Sequence, residues 1–123
     1  MNRHETREQV VFALYQHLLL QKDVRSAFNN CFGDDIDDEY VLKIMLDIED
    51  HETSYIEEIS QHLKKWTFDR LNYVDQAILL DAISEYRLGI IDKAVMIDEA
   101  LNIAHKYSDE EAYRYINGVL DNL

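Results

Sequence analysis

The sequence contains no proline, three glycines and one cysteine in 123 residues. Because hairpins, sandwiches and barrels depend on proline and glycine for their tight turns, this scarcity argues against a β-rich fold. The lone cysteine, Cys31, cannot form an internal disulfide, and no second cysteine stands near it to complete a zinc or redox pair. These absences favour an all-α protein that functions in the cytoplasm.

Long apolar runs are also absent. No segment approaches the roughly 18 apolar residues that a membrane span needs, and the first residues lack the apolar stretch of a signal peptide. Apolar residues nevertheless make up 47% of the chain, which is enough to form a buried core. We therefore expect one domain, residues 1–123, with no membrane contact.

Basic residues are few. The chain has 12 Lys and Arg against 25 Asp and Glu, for a formal net charge of −13. The acidic excess is concentrated in residues 34–58, where a solvated acidic face or an acidic docking surface would each explain it. Because phosphate contacts supply much of the affinity for nucleic acid, this charge weighs against a protein that binds nucleic acid unaided. A local basic face is compatible with the total.

Apolar residues recur at intervals of three and four along most of the chain, as in amphipathic helices. Residues suited to helix N termini are Asp37, Asn72, Asp92 and two capping-box pairs, Ser54 with Glu57 and Ser108 with Glu111.

The predicted bundle has about seven helices, the fifth of which is the most hydrophobic and forms the centre of the core. Gly89 ends this central helix in a left-handed conformation. Trp66 lies on the inward face of the fourth helix. The predicted helices cover residues 3–21, 24–30, 38–50, 54–66, 72–88, 92–106 and 108–120.

Catalytic motifs are absent. The sequence has no phosphate-binding glycine loop and no Gly-x-Ser-x-Gly elbow, and His51-Glu52 lacks the second histidine of a zinc-binding helix. Glu58 and His62 lie four residues apart and could bind a metal, although a surface ion pair is the commoner use of this spacing. We predict no enzyme activity, no catalytic residue, no metal and no cofactor.

Six short motifs point to a known family. Near the end of the chain, residues 115–121 read Tyr-Ile-Asn-Gly-Val-Leu-Asp, after Val-Met-Ile-Asp-Glu-Ala (95–100) and Ala-His-Lys-Tyr (104–107). Earlier motifs are Ala-Leu-Tyr-Gln (13–16), Trp-Thr-Phe-Asp-Arg-Leu (66–71) and Val-Asp-Gln-Ala-Ile-Leu (74–79). Over nearly the whole chain the sequence resembles the NusB family of transcription antitermination factors, and the Asn-Gly-Val-Leu-Asp ending is quite specific.

The resemblance implies a compact helical bundle that binds rather than catalyses. Its expected ligand is boxA-like single-stranded RNA of rRNA leaders. It would hold this RNA with the small-subunit ribosomal protein that acts as NusE, within the RNA polymerase antitermination complex. The residues matched to family RNA contacts are Arg3, Arg7, Glu111, Arg114 and Tyr115, and those matched to partner contacts are Tyr15 and Asp75.

These assignments are physically reasonable. Arg3 and Arg7 are four residues apart, so one helical face could place both guanidinium groups against successive phosphates, while Tyr115 could stack on an unpaired base. We therefore predict that the two arginines and this tyrosine lie close together in one patch. The alternative is that the arginines merely pair with Glu8 and solvent and that Tyr115 belongs to the core.

Alternatives also exist for the partner residues and for the function. Tyr15 could be simply half-buried, and Asp75 could be an anion favoured by the helix dipole. Departures from the family pattern, including Asp98, Ser108 and the small number of arginines, affect RNA affinity more than fold. Two alternative hypotheses for the function are a divergent protein-interaction module that has lost RNA binding, and a stand-alone relative of the RNA-binding domain of RNA cytosine methyltransferases.

Overall fold

Six α-helices enclose one hydrophobic core to which every helix contributes. A computed structural model describes all 123 residues and contains no strand, which confirms the predicted all-α class. The helices are α1 (Arg3–Leu20), α2 (Val24–Phe32), α3 (Glu39–Ser60), α4 (Tyr73–Arg87), α5 (Lys93–Tyr107) and α6 (Glu110–Asp121), with a 3-10 turn at Phe68–Arg70.

Helix α4 lies at the centre, as its hydrophobicity predicts. It packs against α1, α3, α5 and α6, and eleven of its fifteen residues are buried. The chain leaves α4 through Gly89, whose φ of +73° is the left-handed conformation expected there. Three of the buried residues are acidic, namely Asp75, Asp81 and Glu85. A buried carboxylate needs a hydrogen-bonding partner or a proton, so the side chains around these three residues are expected to supply one or the other.

The middle of the chain differs from the prediction. The two helices expected at residues 38–50 and 54–66 are one helix, Glu39–Ser60, because no proline or glycine interrupts it. Ser54 does not cap a helix, since its hydroxyl donates to the carbonyl of His51 at 2.9 Å inside α3. The helix ends earlier than predicted, so Trp66 lies in the connection to α4 and is 41% exposed rather than inward-facing.

The N-caps of two helices lie one residue later than predicted, at Asp38 instead of Asp37 and at Asp109 instead of Ser108. Asp38 accepts a hydrogen bond from the N–H of Tyr40 at 2.9 Å, and Asp109 accepts one from the N–H of Ala112 at 2.8 Å. Asp92 caps α5 as predicted. At α3 the adjacent aspartates can reach the same free N–H groups, whereas at α6 the hydroxyl of Ser108 donates to Asp75 and leaves the cap to Asp109.

Candidate nucleic-acid interface

Arg7 is part of the protein interior. Its Nε and Nη2 donate to the two carboxylate oxygens of Glu85, each at 2.8 Å, and its side chain is 4% exposed. Burial by itself would lower the pKa of Arg7, but the hydrogen bonds and charge of Glu85 raise it above its usual value. The prediction that Arg3 and Arg7 display their guanidinium groups together on the surface is therefore wrong, because Arg7 ties α1 to α4.

Arg3 remains accessible at the start of α1. Its guanidinium carbon lies 3.9 Å from the centroid of the Tyr40 ring, a cation–π contact with α3. No carboxylate lies within ion-pair distance of Arg3, in contrast to Arg7. Of the two predicted arginines, Arg3 is the one that can meet a phosphate.

Tyr115, predicted to contact RNA, and Asp75, predicted to contact the protein partner, are hydrogen-bonded to each other. The hydroxyl of Tyr115 donates to Oδ2 of Asp75 at 2.5 Å, and the hydroxyl of Ser108 donates to Oδ1 of the same carboxylate. Burial raises the pKa of Tyr115, and so does the hydrogen bond to Asp75. Because Asp75 is fully buried, it can act on a partner only by holding Tyr115 and the start of α6 in place.

The half-buried ring of Tyr115 lines a groove between α6 and the α3–α4 connection, residues 61–72. Two adjoining hollows of about 320 and 180 Å³ form this groove and share Trp66, Glu111 and Tyr115 in their walls. We call it the basic groove, because four basic side chains line it: Lys64, Lys65, Arg70 and Arg114.

Two of these four cations have acidic neighbours. Lys65 Nζ lies 3.6 Å from a carboxylate oxygen of Glu111, and Arg114 Nη2 lies 3.2 Å from one of Glu110. Both members of each ion pair are exposed, so the pairs are weak and can give way to a phosphate. The basic groove thus combines local positive charge with two aromatic rings on an acidic protein.

The predicted single patch is divided between two ends of α4. Arg7 contacts Glu85, whereas Tyr115 contacts Asp75, ten residues earlier on the same helix. At 1.5 Å per residue the two carboxylates are about 15 Å apart along the helix axis. The two arginines and the tyrosine therefore do not form one cluster, and the basic groove surrounds Tyr115 without Arg7.

Sequence reasoning missed the contribution of the α3–α4 connection. Lys64, Lys65, Trp66 and Arg70 were not predicted as site residues. The signal that could have found them is the run Lys-Lys-Trp, in which basic residues adjoin an aromatic. Assigning residues 54–66 to an inward-facing helix concealed it.

A second concave surface runs along α1. It encloses about 760 Å³ and is lined by Tyr15, the remaining predicted partner residue. We call it the apolar groove, because six of its nine lining residues are hydrophobic: Met1, Val11, Phe12, Tyr15, Val74 and Tyr107. Glu5 supplies an exposed negative charge to its wall, whereas Glu8, also in the wall, is paired with Lys106 at 2.9 Å.

None of the helices combines the length and apolar character required to cross a membrane.

A sequence profile of the NusB family matches residues 4–123. The chain belongs to the NusB family. The transcription antitermination protein NusB of Oceanobacillus iheyensis is 32% identical over 124 residues, which cover 100% of this chain and 98% of that protein. The transcription antitermination protein NusB of Staphylococcus carnosus is 35% identical over 127 residues, which cover 100% of this chain and 99% of that protein. The resemblance seen in the sequence motifs is confirmed.

Solved NusB structures share the fold. T. maritima NusB superimposes with a TM-score of 0.88 at 29% identity, over 99% of this chain and 89% of that chain. A chain from the crystal structure of antitermination factors NusB and NusE in complex with dsRNA gives a TM-score of 0.82 at 25% identity. The superposition covers 99% of this chain and 96% of that chain. The six-helix architecture is therefore that of the NusB family.

Proposed function

We propose that this protein is a transcription antitermination factor that binds boxA-like single-stranded RNA of rRNA leaders together with the small-subunit ribosomal protein acting as NusE. Family membership and the related complex of NusB, NusE and RNA support this function. The observation that carries it is the basic groove, in which Tyr115 and four cations form a local site on a protein of net charge −13.

In this proposal the RNA strand lies against α6. Tyr115 offers a ring face for stacking with an unpaired base, while Arg114 binds a phosphate beside it. Arg3 provides a separate phosphate contact at the start of α1. Glu111 lies among these cations and moderates their attraction for RNA, since it places a negative charge inside the groove.

The ribosomal partner occupies the apolar groove. Phe12 is 54% exposed and Tyr107 is 59% exposed, which leaves hydrophobic surface available for burial at an interface. The exposed carboxylate of Glu5 attracts a basic protein, while Glu8 beside it is already paired with Lys106. Joint binding reconciles RNA affinity with the acidic composition, because the basic partner adds positive surface to the basic groove.

The test is a salt titration of binding to a fluorescently labelled boxA-like RNA, carried out with and without the ribosomal partner. We expect tight binding by the two-protein complex and much weaker binding by the chain alone, with both affinities falling as salt rises. An RNA of scrambled sequence and a duplex of the same sequence are the controls. Equal affinity with and without the partner, or tight binding by the chain alone at high salt, would contradict the proposal.

A second candidate is a protein-interaction module that has lost RNA binding. The burial of Arg7 favours it, because one of the two amino-terminal arginines is unavailable to RNA. Charge reversal of Arg3 and Arg114 together distinguishes the candidates, since both side chains are exposed and the fold should survive. RNA retention that is unchanged in the complex of this variant with its partner would favour the interaction module.

A further inference from the structure

The α3–α4 connection exposes the only tryptophan of the protein. Phe68 and Leu71 anchor this connection in the core, each with 6% of its surface exposed. Trp66, two residues before Phe68, is 41% exposed and borders both hollows of the basic groove. An indole placed in this way is available to a ligand in the groove while its neighbours hold the backbone in place.

Trp66 and Tyr115 approach the same space from different elements. Trp66 belongs to the connection and Tyr115 to α6, and both line the two adjoining hollows. The hydrogen bond from Tyr115 to the buried Asp75 restricts the orientation of the second ring. A flexible ligand with several flat groups can therefore meet two aromatic surfaces in one groove.

Two cations of the connection, Lys64 and Arg70, are free of ion pairs. Eight of the twelve Lys and Arg side chains in the protein bind a carboxylate or a backbone carbonyl. The other four are Arg3, Lys22, Lys64 and Arg70, and two of these four, Lys64 and Arg70, line the basic groove. A ligand that approaches them displaces no existing ion pair.

We propose that the α3–α4 connection is a second RNA-contacting element, in which Trp66 stacks on an unpaired base while Lys64 and Arg70 bind flanking phosphates. This inference rests on the proposed function and extends the RNA path from α6 across the groove. Paired aromatic rings with interspersed cations suit a single strand, whose bases are free to stack and whose phosphates follow at regular intervals.

Intrinsic fluorescence provides the direct test, because Trp66 is the only tryptophan in the chain. The complex with the ribosomal partner is titrated with a boxA-like oligonucleotide, and tryptophan emission is recorded alongside the anisotropy of labelled RNA. A Trp66→Phe complex identifies any emission from the partner. We expect RNA to quench the emission of Trp66, and Trp66→Ala to weaken RNA binding about tenfold, while Trp66→Phe retains most of the affinity.

The charge contribution is tested with a matched pair of lysines. Lys64→Gln should weaken RNA binding and reduce the slope of log affinity against log salt by about 0.7, as expected for loss of one phosphate contact to a single strand. Lys22→Gln is the control, because Lys22 is equally free of ion pairs but lies outside the groove. We expect this control to leave both affinity and slope unchanged.

The outcomes separate this inference from the function on which it rests. If the complex binds RNA with unchanged affinity in Trp66→Ala and without a change in emission, the connection does not contact RNA, although the proposed function stands. If the complex binds no RNA at all, both fail. If an acidic peptide quenches Trp66 as strongly as RNA does, the groove is a protein-binding surface and the inference is overturned.

Discussion

The guanidinium group of Arg7 and the carboxylate of Glu85 form two parallel hydrogen bonds of 2.8 Å inside the protein. This pair joins the start of α1 to the end of α4. Arg7 Nη1 also lies 3.4 Å from a carboxylate oxygen of Glu99 on α5. Asp81 lies one turn before Glu85 on α4 and is also buried. Burial, followed by the charge of Glu85, raises the pKa of Asp81 well above its usual value, so Asp81 holds its proton to a higher pH than an exposed aspartate does.

Replacement of Arg7 should act mainly on stability. Arg7→Met leaves the carboxylate of Glu85 buried without its partner, and we expect the free energy of unfolding to fall by about 3–5 kcal/mol. Urea denaturation at pH 7 measures the loss. Arg3→Met is the matched control, with an expected loss of at most about 1 kcal/mol, because Arg3 is exposed and gives up only its cation–π contact with Tyr40. Equal urea midpoints for the two variants would show that the buried pair is not a structural anchor.

Asp81 predicts a specific pH dependence. The unfolded chain loses the Asp81 proton near pH 3.8, the ordinary pKa of an aspartate, whereas the folded protein holds it to higher pH. The contribution of this group to stability therefore falls as pH rises from about 4 to the folded-state pKa. Asp81→Asn has no proton to release, so its free energy of unfolding should rise relative to the unmodified protein over this range.

Urea unfolding between pH 4.5 and 8 measures that difference for Asp81→Asn and for a control, Asp98→Asn. Asp98 is exposed on α5, so its replacement removes a charge without removing a buried proton. A difference between Asp81→Asn and the unmodified protein that stays constant with pH would mean that Asp81 is ionised in the folded state.

The apolar groove can be tested at Phe12. This ring is exposed and stacks on Tyr15 with 6.2 Å between the ring centroids. Phe12→Ala should change the free energy of unfolding by less than about 0.5 kcal/mol. It should weaken binding of the ribosomal partner by about tenfold or more, as loss of a central aromatic anchor does.

Calorimetric titration with the partner measures this effect. Leu46→Ala is the control, since Leu46 is 47% exposed on α3 and does not line the apolar groove. Equal partner affinities for the two variants would place the interface elsewhere on the protein.

Glu111 should oppose RNA binding. Its carboxylate lies 3.6 Å from Lys65 within the basic groove, so Glu111→Gln removes a repulsive charge and frees a cation. We expect a rise in RNA affinity of a few fold at low salt, corresponding to about 0.2–1 kcal/mol for an exposed charge pair, and a smaller rise at high salt. RNA anisotropy titrations of the complex at two salt concentrations provide the measurement.

The control for this substitution is Glu39→Gln. Glu39 is an exposed acid that pairs with Lys43 on α3, at 3.3 Å and outside the basic groove. If both variants raise RNA affinity equally, the effect comes from net charge rather than from the position of Glu111.

Helix class and most helix positions followed from local information. The spacing of apolar residues predicts α1, α2, α4, α5 and α6 nearly as they occur, because a helix buries every third or fourth side chain. The boundary inside α3 was wrong because Ser54 and Glu57 have the spacing of a capping box without forming one. The spacing of a capping box shows which N–H groups a side chain could reach. It does not show whether those N–H groups are already hydrogen-bonded within a helix that began earlier.

Composition and short motifs were sufficient to establish the helical class and the family, and they singled out Tyr115 before the groove around it was known. Packing between distant helices determined which cations face solvent. Helical periodicity places Arg3 and Arg7 on one face, yet only the assembled core shows that Glu85 on α4 meets Arg7 and that Arg3 stays outside. Likewise, Trp66 became part of a groove because α3 ends before it and α6 packs nearby. Burial and ion pairing depend on residues far away in the chain, and a local pattern carries no record of them.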